Sequence, residues 1–378
     1  MANSLDIAFF GSSLVSAYWN GAATYYRGII RALADRGHHI TFYEPDAFER
    51  QQHRDLANPD WADVVVYSAA GTDHLYDCLE QARGGDVVVK ASGVGVFDEL
   101  LEREIASITE PLLKIFWDVD APATLQRLRE DPEDPFHALI PRYDLVLTYG
   151  GGPPVVEAYR RHGAPDCVPI YNAVSPEEHF PVPPEPRFAA TLSFLGNRLP
   201  DREQRVFDYF FETARRLPDH EFILGGSGWH ENVPNLGNVN YVGHVYTRDH
   251  NAFNTSPLAV LNISRDSMAM NGFSPATRLF EAAGAAACIL TDSWEGIDQF
   301  LEPDREVLVA TDGEEVVRQL QSLTRGRARE IGAAARDRVL AEHTYGHRGE
   351  LVEEILLDRT AGATVSSSSS RSLIAEES

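Results

Sequence analysis

Through residue 171 the chain alternates short apolar runs with amphipathic stretches. Runs at 6–10, 40–43, 64–67, 87–90, 114–117, 145–149 and 168–171 have strand length, and 22–36, 73–83, 98–105, 124–130 and 155–161 between them have helical spacing. Strands that are apolar throughout and separated by amphipathic helices predict a doubly wound parallel sheet covered on both faces. The pattern then breaks at 172–187, where Pro176, Pro181, Pro183, Pro184 and Pro186 exclude a helix or a central strand. It resumes with strands at 191–195, 222–224, 241–242, 258–263, 287–291 and 307–310 and helices at 202–216, 248–254, 275–284 and 313–323. The reading is two Rossmann-like domains, 1–172 and 188–326, joined by a linker at 173–187. Helical segments over 327–358 follow, and the serine-rich stretch 359–378 predicts a disordered tail.

Composition narrows the partners. A chain of 378 residues with 43% hydrophobic and 24% charged residues suits two ordinary globular cores. Its net charge of −24 counts against nucleic acid and anionic membrane as partners, since both need a cationic footprint. The three cysteines, Cys78, Cys167 and Cys288, are far apart among apolar or small residues, which argues against a disulfide framework or a zinc site. No apolar run reaches the roughly 20 residues of a membrane helix, and no leader pattern precedes the first strand. The expectation is a cytoplasmic protein.

The chemistry of the second half centres on Asn271-Gly272-Phe273-Ser274-Pro275-Ala276-Thr277-Arg278-Leu279-Phe280-Glu281. A helix starting near Pro275 with Ser274 as N-cap would present backbone N–H groups, Thr277 and the Arg278 cation to a phosphate. Glu281, one turn on, could accept both hydroxyls of a ribose. Open parallel sheets bind ligands beyond the carboxyl ends of their strands, so the strand-end loops supply the remaining candidates. Gly196-Asn197-Arg198 offers a close backbone approach and a guanidinium fork, with Arg202 nearby. Gly225-Gly226-Ser227-Gly228-Trp229 could wrap a base or sugar, and Gly243-His244-Val245 could read a base edge. Arg265, after the strand 258–263, would bracket a diphosphate together with Arg278.

In the first half Gly11-Ser12 leaves the first strand, without the close G-x-G-x-x-G spacing of a dinucleotide site. Lys90 ends the fourth strand and could be a second cation. Asp118-Val119-Asp120 ends the fifth. Such a pair can hold a divalent cation, serve as a general base toward an acceptor hydroxyl, or cap the next helix. The histidines do not cluster at metal-ligand spacing.

Lys90-Ala91-Ser92-Gly93, Phe116-Trp117-Asp118-Val119-Asp120-Ala121-Pro122, Tyr149-Gly150-Gly151-Gly152, the run 196–203, the loops 225–229 and 243–245 and the stretch 271–284 together resemble the CgeB-like family of glycosyltransferases. The resemblance covers the chain from about residue 5 to 350. It implies a GT-B fold, in which two Rossmann-like domains face a central cleft, the second binds a nucleotide-sugar, and the last helices cross back to the first. It further implies transfer of sugar from a nucleoside diphosphate donor, UDP foremost, to a small-molecule or glycan acceptor, with no bound metal and no cofactor. On this reading Arg198, Arg265, Arg278 and the helix start at 274–277 meet the diphosphate, Glu281 the ribose, and Asp118 or Asp120 the acceptor. Many retaining enzymes of this class carry a second glutamate eight positions before the ribose glutamate. Here that position is Phe273, and a gapped match finds Asn271. A nucleotide-sugar epimerase and a non-catalytic nucleotide-sugar binder are the alternatives.

Overall fold

The computed structural model describes residues 4–18, 20–110 and 112–375, with side chains described as far as 361. Its residues divide into two units: 1–171 with 345–378, and 172–344. Among the described residues, no helix is long and apolar enough to cross a membrane.

The first unit is built on β1 (Asp6–Phe10), β2 (His39–Asp46), β3 (Asp63–Ser68), β4 (Val87–Ala91), β5 (Leu113–Asp118), β6 (Leu145–Thr148) and β7 (Cys167–Pro169). Every pairing is parallel, in the order β3-β2-β1-β4-β5-β6-β7. All five residues of β4, Val-Val-Val-Lys-Ala, are buried, as befits a strand covered on both faces. The helix Tyr345–Ala375 packs on the helix Ala23–Ala34 within this unit. Gly28 makes the contact possible, because a Cβ there would lie 2.4 Å from the Tyr345 ring. Arg36 Nε meets Glu353 at 2.6 Å beside it.

The second unit has β8 (Leu192–Leu195), β9 (Phe222–Gly225), β10 (Val239–Gly243), β11 (Ala259–Asn262), β12 (Ile289–Asp292) and β13 (Leu308–Ala310), again all parallel, in the order β10-β9-β8-β11-β12-β13. Its core joins Phe194, Phe210, Phe211, Phe222 and Trp229 to Leu261 of β11 and Leu290 of β12.

Three boundaries differ from the expectation. The proline-rich segment is not a free linker: Val174 N donates to His343 O at 2.9 Å, and Glu185 N donates to Ser256 Oγ at 2.8 Å, so it lies on the second unit. The helix Arg325–Glu342 stays with the second unit, and only the helix from Tyr345 belongs to the first. That last helix continues as backbone to Ala375, over much of the expected tail. Side chains beyond 361 and residues 376–378 lie outside the described residues.

Candidate donor site

In each sheet the strand order reverses once, between β1 and β4 and between β8 and β11. Such a reversal opens a crevice at the carboxyl ends of the flanking strands. In the second unit the crevice lies beyond Leu195 and Asn262, and three arginines gather there.

Gly196, the residue after β8, is where they meet. A Cβ on Gly196 would lie 2.9 Å from Nη2 of Arg202 and 2.9 Å from Nη2 of Arg278, so any larger residue would displace both guanidinium groups from these positions. Both also lie over the Phe194 ring, at 5.5 and 5.2 Å from its centroid. Arg278 is held by the ends of both switch-point strands: its Nε donates to Leu195 O at 2.5 Å and its Nη1 to Asn262 Oδ1 at 3.0 Å. Arg202 donates through Nη2 to Asn197 O at 2.5 Å, and its Nε is buried with no hydrogen-bond partner. Arg202 is 8% exposed. Burial first, and Arg278 second, pull its pKa down to about 9. A guanidinium nonetheless stays protonated in proteins, so the site holds a buried cation with no ion pair of its own among the described residues, balanced only at longer range by Asp201 and Asp292. Arg265 borders the group, with its Nε donating to Asp201 at 2.6 Å.

The loops beyond β8, β9 and β10 are stitched together by their backbones. Gly196 N donates to Gly225 O at 3.1 Å, and Gly226 N to Gly243 O at 2.7 Å. Gly226, at φ +114°, passes so close to Gly196 that a Cβ would lie 2.2 Å from its carbonyl oxygen. This turn sends Trp229 inward, correcting its expected place at the ligand. The indole is 1% exposed, packs on Phe194 and Phe211, and donates to Gly196 O at 2.7 Å. Arg198 is likewise engaged inside the loop, with Nη2 on Glu203 at 2.5 Å and Nη1 on Glu231 O at 2.6 Å. These bonds brace the loop. Ser227 is exposed, as is His244, whose ring meets that of Tyr246 at 4.7 Å; Val245 is buried.

The stretch 271–284 departs from its expected start. The helix runs Thr277–Gly284 with Ala276 at the N-cap and no side-chain cap. Ser274 Oγ donates instead to Gly272 O at 2.9 Å, closing its own turn. Gly272 and Phe273 have φ of +66° and +46°. The Phe273 ring seats where Gly296 leaves room, 2.1 Å from a hypothetical Cβ, and Phe273 N donates to Glu295 O at 2.6 Å. These contacts hold an αL phenylalanine that would otherwise cost about 1–2 kcal/mol. Glu281 lies three residues past Arg278 on the helix and remains partly exposed. Its carboxylate faces His179 Nε2 at 3.9 Å, from the proline-rich segment. Sequence reasoning missed this histidine, since 102 positions separate the two in the chain.

In the first unit two expected site residues are interior. Lys90 is 0% exposed, 2.6 Å from Asp98 and 3.7 Å from Glu102, an internal ion cluster and not a cation offered to a ligand. Asp118 is fully buried and accepts from Ser92 Oγ at 2.7 Å, Thr124 Oγ1 at 3.1 Å, Asp120 N at 3.0 Å and Tyr159 OH at 2.5 Å. Burial raises its pKa while those donors lower it, with burial prevailing. With its lone pairs so occupied, Asp118 is a structural hub. Asp120 is half-buried at the N-cap of the helix Ala121–Glu130 and makes no side-chain cap. Gly11 leaves β1 under the Phe42 ring, where a Cβ would lie 2.5 Å away, and Ser12 Oγ donates to Asn20 Oδ1 at 2.9 Å.

Residues 202–356 match the family described as Glycosyl transferase-like. A search of curated protein sequences gave no significant match. Among solved structures the chain is similar to sucrose-phosphate synthase (tll1590) from Thermosynechococcus elongatus, with a TM-score of 0.68 and 13% identity over 94% of this chain and 99% of that one. It is similar also to Anabaena Alr3699/HepE, solved in complex with UDP-glucose, with a TM-score of 0.64 and 13% identity over 93% and 99%. T4 phage BGT in complex with its UDP-glucose substrate gives a TM-score of 0.58 and 12% identity over 95% and 99%. The two parallel-sheet units have the GT-B fold.

Proposed function

We propose that the protein is a glycosyltransferase that takes a sugar from a nucleoside diphosphate-sugar, with UDP as the nucleotide, and that its second unit binds the donor. The observation that carries this reading is the convergence of Arg202 and Arg278 on Gly196 at the switch point, where a buried Arg202 Nε has no partner. A diphosphate seated beside Gly196 supplies the anion that these two guanidinium groups converge on. Negative charge grows on that diphosphate as the glycosidic bond breaks, and fixed cations on a dry aromatic floor stabilise it without reorganising. Glu281 accepts the ribose hydroxyls, Arg265 and Thr277 border the phosphates, and the loops 225–228 and 243–245 take the base. The family match over 202–356 and the UDP-glucose complexes of the similar structures support this choice of donor.

The net charge of −24 argues for a neutral or cationic acceptor, such as a glycan or small molecule; three free, buried cysteines suit action in the reducing cytoplasm. Of the two carboxylates considered for the acceptor hydroxyl, Asp120 retains solvent exposure, and we assign that role to it. The motifs at 90–93, 116–122 and 149–152 support a place in the CgeB-like group. Thermal unfolding with UDP, dTDP, GDP and ADP tests the donor. A nucleotide present at a hundred times its dissociation constant stabilises by about 2.7 kcal/mol, and UDP should raise the midpoint most. No shift with any of the four would overturn the reading.

A further inference from the structure

His179 sits in a turn whose backbone is fixed independently of its side chain. Its N–H donates to Ser175 O at 2.8 Å, while Asn251 accepts from Phe180 N at 3.3 Å and donates to Glu178 O at 2.8 Å. Gly284 lets this turn press on the helix that carries Glu281: a Cβ there would lie 3.0 Å from both Cβ and O of His179 and 2.6 Å from Val174 Cγ2. The ring is 5% exposed, with Nδ1 buried and without a hydrogen-bond partner among the described residues and Nε2 3.9 Å from Glu281 Oε1. A buried N–H with no acceptor is costly. The ring proton therefore belongs on Nε2, facing the carboxylate, a tautomer inferred from these partners.

We propose that His179 is a positioning residue for Glu281, holding its carboxylate in the rotamer that receives the ribose of the donor. The proposal rests on the assignment of Glu281 to the ribose. A long acidic side chain on a helix surface samples several rotamers, and a carboxylate that accepts two hydroxyls at once must be confined to one. At 3.9 Å His179 Nε2 stands just beyond hydrogen-bond length from the carboxylate; a small change of the Glu281 rotamer closes that gap, and the N–H then confines the carboxylate from the protein side and leaves its outer lone pairs for the nucleotide. The segment read from the sequence as a linker thus contributes to the donor site.

UDP is titrated calorimetrically into the full chain as wild type, His179→Phe, His179→Gln, Glu281→Gln and the double variant His179→Phe with Glu281→Gln. Glu281→Gln should weaken UDP about tenfold to a hundredfold, the loss of charge-assisted hydrogen bonds to ribose. His179→Phe, which keeps a ring and removes the donor, should weaken it about fivefold to tenfold. His179→Gln, which keeps an N–H, should recover most of that loss. In the Glu281→Gln background His179→Phe should cost nothing further, and 2′,3′-dideoxy-UDP should not distinguish His179→Phe from wild type. An equal loss in both backgrounds, or none in either, overturns the positioning role and leaves the donor site standing. An unchanged affinity in Glu281→Gln, or a wild type that binds no UDP, removes the ribose assignment itself. If His179→Phe does not fold, His179→Asn against His179→Gln makes the same comparison, with Asn too short to reach and expected to behave as the loss.

Discussion

Replacing Arg202 with methionine separates a residue kept for a ligand from one kept for the fold. The side chain is 8% exposed, lies over the Phe194 ring, and has one carbonyl, that of Asn197, accepting from its Nη2. Its Nε has no hydrogen-bond partner among the described residues, and the repulsion of Arg278 and Arg265 outweighs, together with burial, the attraction of Asp201 and Asp292. The fall of its pKa to about 9 corresponds to roughly 4–5 kcal/mol held against the charged form. Methionine keeps most of the packing on Phe194 and loses the hydrogen bond to Asn197, which offsets part of that gain. Removing such an unpaired cation should therefore leave the unliganded protein as stable as wild type or more stable by about 1–2 kcal/mol. That corresponds to a rise in midpoint of about 2–6 °C. UDP affinity should move the other way, since each lost charge-assisted hydrogen bond to phosphate costs about 1.5–3 kcal/mol, or roughly tenfold to a hundredfold and more. Melting curves without ligand and calorimetric titration with UDP read the two effects separately. A variant that melts well below wild type yet binds UDP normally would refute the reasoning and make Arg202 a structural cation.

Arg278→Met should weaken UDP to a similar degree but also lower the unliganded midpoint, because its bonds to Leu195 O and Asn262 join the two switch-point strands; the comparison with Arg202→Met is made in the same melts. Asp118→Asn places an amide opposite three side-chain hydroxyls and the Asp120 N–H, and should destabilise the chain by about 1–3 kcal/mol in chemical denaturation. Asp120→Asn should leave that stability and UDP affinity unchanged while lowering turnover once an acceptor is in hand. Gly28→Ala sets a helix-propensity gain of up to about 1 kcal/mol against a Cβ 2.4 Å from the Tyr345 ring. Overpacking of that kind costs about 1–3 kcal/mol, so the variant should be less stable by denaturant titration.

The architecture was legible because it rests on periodicity. Apolar runs such as Val87–Lys90 and 258–263 can hardly be anything but strands covered on both faces, and their alternation with helices implies the parallel sheets that are observed. The Arg278–Glu281 spacing was legible for the same reason, since both positions share one helix. What was hidden is the direction of single side chains where the backbone leaves the common regions. Trp229 read as a ligand-facing indole, but the positive φ of Gly226 and Gly228 turns it into the core. Lys90 and Asp118 read as exposed groups at strand ends; their partners, Asp98, Glu102, Ser92 and Tyr159, come from other elements and close over them. Arg198 and Arg202 look alike in the sequence, which does not say which of two arginines finds a glutamate. Glu203 takes Arg198, and Arg202 is left facing Arg278.

The central claim is that the second unit receives a nucleoside diphosphate between Arg202, Arg278 and Glu281. A crystal structure of the chain grown with UDP tests it most directly. The account predicts the diphosphate within hydrogen-bonding distance of both guanidinium groups beside Gly196, with the ribose hydroxyls on Glu281. A nucleotide bound elsewhere would contradict it.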